Sequence, residues 1–153
     1  HVSGVTGRNV LRSTSVERRL VNGVRGSLKN TDDEWAFWKK NDSIAVTIDV
    51  GVRKKLGKVS LGYLNHFGLG IHKPQRVEVW LSDNDVHYWK ATEQTFGRDE
   101  IFAEGRFTEE MEFIFKDVAR YVRVIMKGAG MCPEHHVRPG LEAQIYLDEV
   151  LIE

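Results

Sequence analysis

The chain has 153 residues, and its 22 basic and 22 acidic side chains leave no net charge. That balance excludes a general nucleic-acid binder, whose affinity rests on a basic surface, and no run of about 18 or more apolar residues is present to cross a membrane as a helix. A chain of this length makes one domain that buries about 68–70% of its unfolded surface without a covalent staple.

Residues 1–19 read as a polar lead-in with one short strand, carrying Arg8, Arg12, Glu17, Arg18 and Arg19. Leu20 to Trp38 is too rich in turn formers for a helix or a strand: Asn22-Gly23 is a turn dipeptide, and Gly26, Ser27 and Asn30 follow. Asp32, Asp33 and Glu34 come next, then Trp35, Phe37 and Trp38. Ordering such a loop costs entropy, so something must tie it down. Oxygen ligands to a hard cation would do so, and so would packing of the aromatics onto a sheet.

Ser43 to Val50 alternates apolar and polar and is β-branched, which predicts a half-buried strand ended by Gly51. Lys55 to Tyr63 predicts another. Leu64 to Lys73 is a loop with two glycines, His66, Phe67 and His72, closed by Pro74. Arg76 to Ser82 and Val86 to Thr92 predict a hairpin about the Ser82-Asp83-Asn84-Asp85 turn. Further strands are expected around Glu100–Ala103, over Glu112–Phe115, over Ala119–Met126 and over Leu141–Ile152. Lys127 to Gly140 is a long loop with Cys132, Pro133, Glu134, His135, His136 and Arg138. About eight strands and no amphipathic helix imply an all-β, two-layer antiparallel sandwich or barrel. The loops at one end are its natural binding surface.

Cys132 is the only cysteine, so no internal disulfide forms. That suits a cytosolic protein or an exported bacterial module equally. No signal peptide is visible, and the start at His1 is that expected of a mature or excised fragment.

Several separated segments resemble the discoidin family, the C-terminal type domain of coagulation factors 5 and 8, whose relatives include the family-32 carbohydrate-binding modules. Leu20-Val21-Asn22-Gly23 looks like the family's opening, and Val46 to Gly51 like its strand ending in Asp-Leu-Gly. Val77 to Ser82 with Trp89 looks like its strand, serine, turn and tryptophan. Ala119-Arg120-Tyr121-Val122-Arg123-Val124 is the most specific match, and Leu147-Asp148-Glu149-Val150 looks like the closing strand. Gly26-Ser27, Pro74, and Cys132-Pro133 ahead of Tyr146 to Glu149 look like a subgroup, the C-terminal domain of bacterial family-20 β-N-acetylhexosaminidases (chitobiases). The resemblance implies a galactose-binding-domain-like jelly roll over residues 1–153. It also implies a secreted, periplasmic or cell-surface setting in a bacterium, and a hydrolase catalytic domain in the same parent chain.

The resemblance further implies a structural calcium between the opening loop and the last strand. Asn22, the Arg25 carbonyl, Ser27 and Glu149 stand at the family's ligand positions. Calcium takes six to eight oxygens, and Asn22 in place of an aspartate removes one charge.

For sugar binding, pyranose rings stack their C–H faces on flat aromatics and fix their hydroxyls with polar partners. Trp35, Phe37, Trp38 and Phe67 are the candidate platforms, and His66, His72, Glu134, His135 and Arg138 the candidate polar partners, for a glycan containing N-acetylhexosamine or galactose. Phe67, Leu69 and Ile71 beside His72-Lys73 also imitate a lipid-binding spike, although a membrane partner is not expected. No CxxC or HExxH pattern signals zinc. No G-x-S-x-G, Walker or dinucleotide motif signals catalysis, and the paired acids point to opposite strand faces. Cys132 with His135 is the one nucleophile–base pair the sequence offers.

Overall fold

A computed structural model describes the backbone of residues 2–6 and, in full, residues 20, 24–31, 35–38 and 43–153. Asn22 and the Asp32-Asp33-Glu34 run lie outside the described residues, as do Arg8, Arg12, Glu17, Arg18 and Arg19. The described strands are β1 Val2–Thr6, β2 Ala36–Trp38, β3 Ile44–His66, β4 Arg76–Ser82, β5 Tyr88–Thr95, β6 Arg106–Lys127 and β7 Ile145–Ile152. Every pairing between them is antiparallel. Alternation does here what the sequence predicts: Val46, Ile48, Val77, Val79 and Leu81 all turn inward and are buried.

Two pairs of expected strands are in fact continuous. The predicted strands at 43–50 and 55–63 both fall in β3, which starts at Ile44, and those at 112–115 and 119–126 lie within β6. The β3–β6 ladder slips register between Asp49 and Lys54 and again between Leu56 and Lys58. Gly51 has a φ of 94° there, and residues 51–55 are exposed. Such bulges bend a strand and increase its twist, so the two long strands turn a corner together and serve both layers. One layer is β1, the first half of β3, the second half of β6, β4 and β5. The other is β2, β7, the second half of β3 and the first half of β6. Val46, Val79 and Val124 of the first meet Val59, Leu61, Phe113, Leu147 and Trp38 of the second in one core. This is the antiparallel β-sandwich expected.

The strand expected near residue 100 is instead a helical turn, Arg98–Ile101, with Asp99 and Glu100 in its first turn. Acids suit the positive end of a helix, and Ile101 and Phe102 anchor it in the core.

The described part of the opening loop covers the outer face of the second layer. Trp35 and Phe37 pack with Leu64, Ile71 and Tyr146 in a second apolar cluster. Phe37 stacks on Tyr146 at 4.8 Å, and Trp35 meets it edge-on at 6.5 Å. Trp35 Nε1 donates to the Ser27 carbonyl at 3.0 Å. Aromatic packing onto the sheet, one of the two ties expected for this loop, is therefore present. Polar contacts complete it. The Gly26 N–H donates to Asp148 Oδ2 at 2.8 Å, and Arg106 Nε to the Leu28 carbonyl at 2.6 Å. The Arg25 guanidinium joins Asp148 (3.3 Å) to Glu110 (2.8 Å).

Two glycines make these contacts possible. A Cβ on Gly26 would overlap the Trp35 indole, and one on Gly62 would overlap the Asp148 carboxylate. Opposite Gly62 the last strand bulges: Leu61 pairs with Val150 but Tyr63 pairs with Leu147, so Asp148 and Glu149 face a single partner residue.

Candidate functional site

The connections after β3, β5 and β6 emerge at the same end of the sandwich. Arg76 pairs with both Thr95 and Lys127, and His66 with Arg106, so residues 67–75, 96–105 and 128–144 start or finish on shared register lines. Backbone bonds knit them together. Ile71 and His66 exchange N–H and C=O at 2.8 and 3.1 Å, and Gln144 N donates to Gly70 O at 2.8 Å. His72 N donates to Gln144 O at 2.9 Å, and Cys132 N to Leu141 O at 2.7 Å. Gly70, at φ 69°, closes the one-turn 3-10 helix Phe67–Leu69. The side chains of this end thus stand on a fixed frame.

A hydrogen-bonded chain runs through it. Asn65 Nδ2 donates to the Ala103 and Gly105 carbonyls at 3.0 and 3.1 Å. Its Oδ1 therefore faces His72 Nδ1, at 3.0 Å, and that nitrogen must carry the proton. At the other end the Arg138 backbone N–H donates to His136 Nδ1 at 2.9 Å, so the His136 proton sits on Nε2. His136 Nε2–H then donates to His72 Nε2, 3.0 Å away. Both rings are neutral in this arrangement, because a second proton on either would set donor against donor. Burial pushes His72 down to about 4, helped by the neighbouring His136. Burial also lowers His136, with His135 and Arg138 adding to the shift.

Phe67 lies 4.0 Å from His136, centroid to centroid, and is only half-buried. Arg138 Nε donates to the Gly68 carbonyl at 2.7 Å, which pins the exposed Arg138 side chain beside the Phe67 turn. Glu134 and His135 are exposed on the same loop. His66 is partly exposed, but its Nδ1 is buried without a hydrogen-bond partner among the described residues. Burial lowers its pKa, and Arg106 and Arg138 add to that.

Several sequence expectations need correction. Trp35 and Phe37 are only 1% and 8% exposed and Trp38 is fully buried, so none offers a face to a sugar. The second apolar cluster claims Trp35 and Phe37, and the main core Trp38. His72 is 1% exposed and can act only through His136 or another buried group. The lipid-binding spike is not formed: Ile71 is buried, and Lys73 is drawn in over the Phe96 ring at 4.0 Å and onto Glu100 at 2.7 Å. Cys132 is buried while His135 is exposed, so that nucleophile–base pair is not assembled either. Its neighbours are His72 and His136 instead.

Of the residues expected around calcium, Arg25 uses its guanidinium on Asp148 and Glu110, and Ser27 Oγ accepts the Lys29 N–H at 3.2 Å. Glu149 is buried in the last strand. Asp148, which the sequence did not single out, is the acid that holds the loop. Burial raises its pKa, although the Gly26 N–H and Arg25 oppose the shift. The adjacent cleft, about 250 Å³ and lined by Arg25, Thr108, Glu109, Glu110 and Asp148, has no aromatic wall.

No family model matches the sequence, and no curated protein matches it. Solved structures do. The family-32 module of AlyQ, in complex with 4,5-unsaturated mannuronic acid, superposes with a TM-score of 0.60 at 14% identity, over 100% of this chain and 95% of the other. The fold is that of the family-32 carbohydrate-binding modules. A Clostridium perfringens module of the kind, in complex with GalNAc-β-1,3-galactose, gives 0.59 at 13% identity over 97% and 93% of the two chains. The C-terminal domain of a Bacteroides fragilis chitobiase gives 0.55 at 14% identity over 100% and 91%. In the CBM32 fold seen here, no described helix is long and apolar enough to cross a membrane.

Proposed function

We propose that this domain is a non-catalytic carbohydrate-binding module, working outside the cytoplasm as an accessory to a bacterial glycoside hydrolase of the chitobiase kind. The observation that carries this reading is Phe67. Its ring is backed by His136 at 4.0 Å and is only half-buried, at the loop end of a CBM32 fold. A half-exposed ring beside the fixed Arg138, on a loop that also carries the exposed Glu134 and His135, offers what a pyranose takes: a surface to stack on and hydrogen-bonding groups for its hydroxyls. His66 adds a ring nitrogen at the edge. Such a small site binds single sugars weakly, and weak binding still raises the effective concentration of an attached catalytic domain.

The chitobiase neighbour and the module solved with GalNAc-β-1,3-galactose support N-acetylhexosamine or galactose as the sugar. Titration calorimetry with GalNAc, GlcNAc, galactose and glucuronate tests it. Millimolar binding of at least one, lost in Phe67→Ala, is expected. Unchanged binding by that variant, or silence with all four and on a glycan array, contradicts it.

A second reading, that the domain packs against its catalytic domain, draws support from Met131, Val137 and Leu141. These are exposed apolar residues on the same 128–144 connection, at 62%, 64% and 38%. If they form that contact, Val137→Ser lowers the melting temperature of the full enzyme and leaves that of the isolated domain unchanged.

Calcium at the junction of the opening loop and β7 is a separate proposal. Its support is placement: the Arg25–Ser27 segment is bonded to Asp148 through Gly26 and Arg25, and Glu149 is the next residue of β7. Glu149 with the Arg25 and Ser27 oxygens would supply the hard donors that calcium takes. A melting temperature raised by calcium and lowered by EGTA is the expected result, and an unchanged one overturns it.

A further inference from the structure

His72, Cys132 and His136 come from two connections that are far apart in sequence, yet their donor atoms all lie within 4.8 Å of one another, and all three residues are buried. We propose that these three side chains form a binding site for a thiophilic divalent cation, zinc(II) being the one that best fits two imidazoles and a thiolate. Nothing in the glycan reading requires this site.

The donor set decides the class of ligand. Imidazole suits zinc, copper and nickel, and a thiolate selects the softer of them over magnesium and calcium. The frame decides the geometry. His72 is oriented as a ligand is: Asn65 Oδ1 accepts its Nδ1–H at 3.0 Å, and Asn65 is itself fixed by the carbonyls of Ala103 and Gly105. That is the outer-shell partner that sets a metal-binding histidine's tautomer. The His72 Nε2 lone pair therefore points into the cluster. Cys132 is held through its own N–H and C=O, bonded to Leu141 and Gly140 at 2.7 and 3.1 Å. Its thiol lies beside Gly70, where a Cβ would sit 3.5 Å from Sγ.

The distances need only small changes. Two nitrogens about 2.0–2.1 Å from a tetrahedral zinc stand roughly 3.3 Å apart. His72 Nε2 and His136 Nε2 are 3.0 Å apart, so they open slightly while the sulfur closes in. The metal takes the place of the proton between the rings. That proton moves to His136 Nδ1, which gives up its bond from the Arg138 N–H. Arg138 lies on an exposed turn, so its amide turns to water. The thiol proton leaves to solvent, and one proton is released per metal bound. Phe67 and Phe102 wall the site, with ring centroids 4.0 Å from His136 and 5.1 Å from His72. The fourth coordination position is left to water, as in an open zinc site.

The test uses the whole domain after EDTA treatment, titrated with cobalt(II) and then zinc(II). One equivalent of cobalt is expected to bind with a sulfur-to-metal charge-transfer band and tetrahedral visible bands, and zinc to displace it. Cys132→Ala loses the charge-transfer band and weakens zinc by at least tenfold, whereas His135→Ala, on the exposed neighbour, changes neither. The variants' circular dichroism and melting without metal separate lost binding from lost folding. Cobalt binding with no charge-transfer band, binding abolished by His135→Ala, or a wild-type melting temperature indifferent to zinc would each overturn the proposal.

Discussion

The Asp148 carboxylate occupies the space where a side chain on Gly62 would stand. That close approach helps tie the Arg25–Gly26 part of the opening loop to the last strand. It lets the carboxylate fold back to accept the Gly26 N–H and the Arg25 guanidinium at 2.8 and 3.3 Å. Gly62→Ala therefore displaces a buried, bonded acid. We expect a loss of about 2–3 kcal/mol in urea denaturation, from overpacking and the broken bond. A stability equal to or above wild type, as glycine-to-alanine gives in an unobstructed strand, would show that the carboxylate is not held there.

Trp35 separates a core role from a platform role. Trp35→Phe keeps most of the packing against Tyr146 and removes the Nε1–H to the Ser27 carbonyl. A loss of about 1 kcal/mol is expected, with sugar affinity unchanged. Affinity lost at full stability would return Trp35 to the binding surface.

The histidine pair fixes an NMR observation. In the metal-free protein, nitrogen shifts should report His72 as the Nδ1–H tautomer and His136 as Nε2–H, with His72 neutral until about pH 4. Its folded pKa lies below its ordinary value of 6.5, so the unfolded chain takes up the proton first. The associated stability is full above pH 6.5 and is lost as the pH falls toward 4, on the order of 3 kcal/mol in all. Titration of His72 near pH 6.5 would refute the buried chain.

Asp49 gives an acid counterpart at the far end of the sandwich. Arg120 grips it with two bonds of 2.8 and 2.9 Å, the Gly51 N–H adds a third, and its pKa is lowered to about 2. Its contribution to stability is present above pH 3.8 and is lost as the pH falls toward 2. In Arg120→Met, the carboxyl shift measured by NMR should titrate closer to 3.8, and an unmoved midpoint would mean the pair is not formed.

Much of the fold was legible because inward-facing residues in the first half of β3 and in β4 alternate with less buried ones. Its continuity was not. Gly51 and the exposed residues after it look like a strand end, and only the partner strand β6, some 70 residues on, shows that the ladder continues through a bulge. Of the loops that carry the candidate residues, 64–73 and 127–140 do meet, through Arg138 Nε and the Gly68 carbonyl. Trp35 and Trp38 did not follow, since a tryptophan's exposure depends on what packs over it, here Tyr146 and the main core. Asp148 was passed over for Glu149 because strand alternation does not anticipate a bulge that sets both against one glycine. His72, Cys132 and His136 have no local spacing that would mark them, as the fold alone brings them together.

The central claim is that a sugar sits on Phe67 at the loop end. Amide chemical-shift mapping during titration with GalNAc, galactose and their disaccharide tests it most directly. The account predicts perturbations clustered at residues 66–68 and 134–138, absent in Phe67→Ala. Perturbations centred elsewhere, on the Arg25–Asp148 cleft or on the open face of β4 and β5, would contradict it.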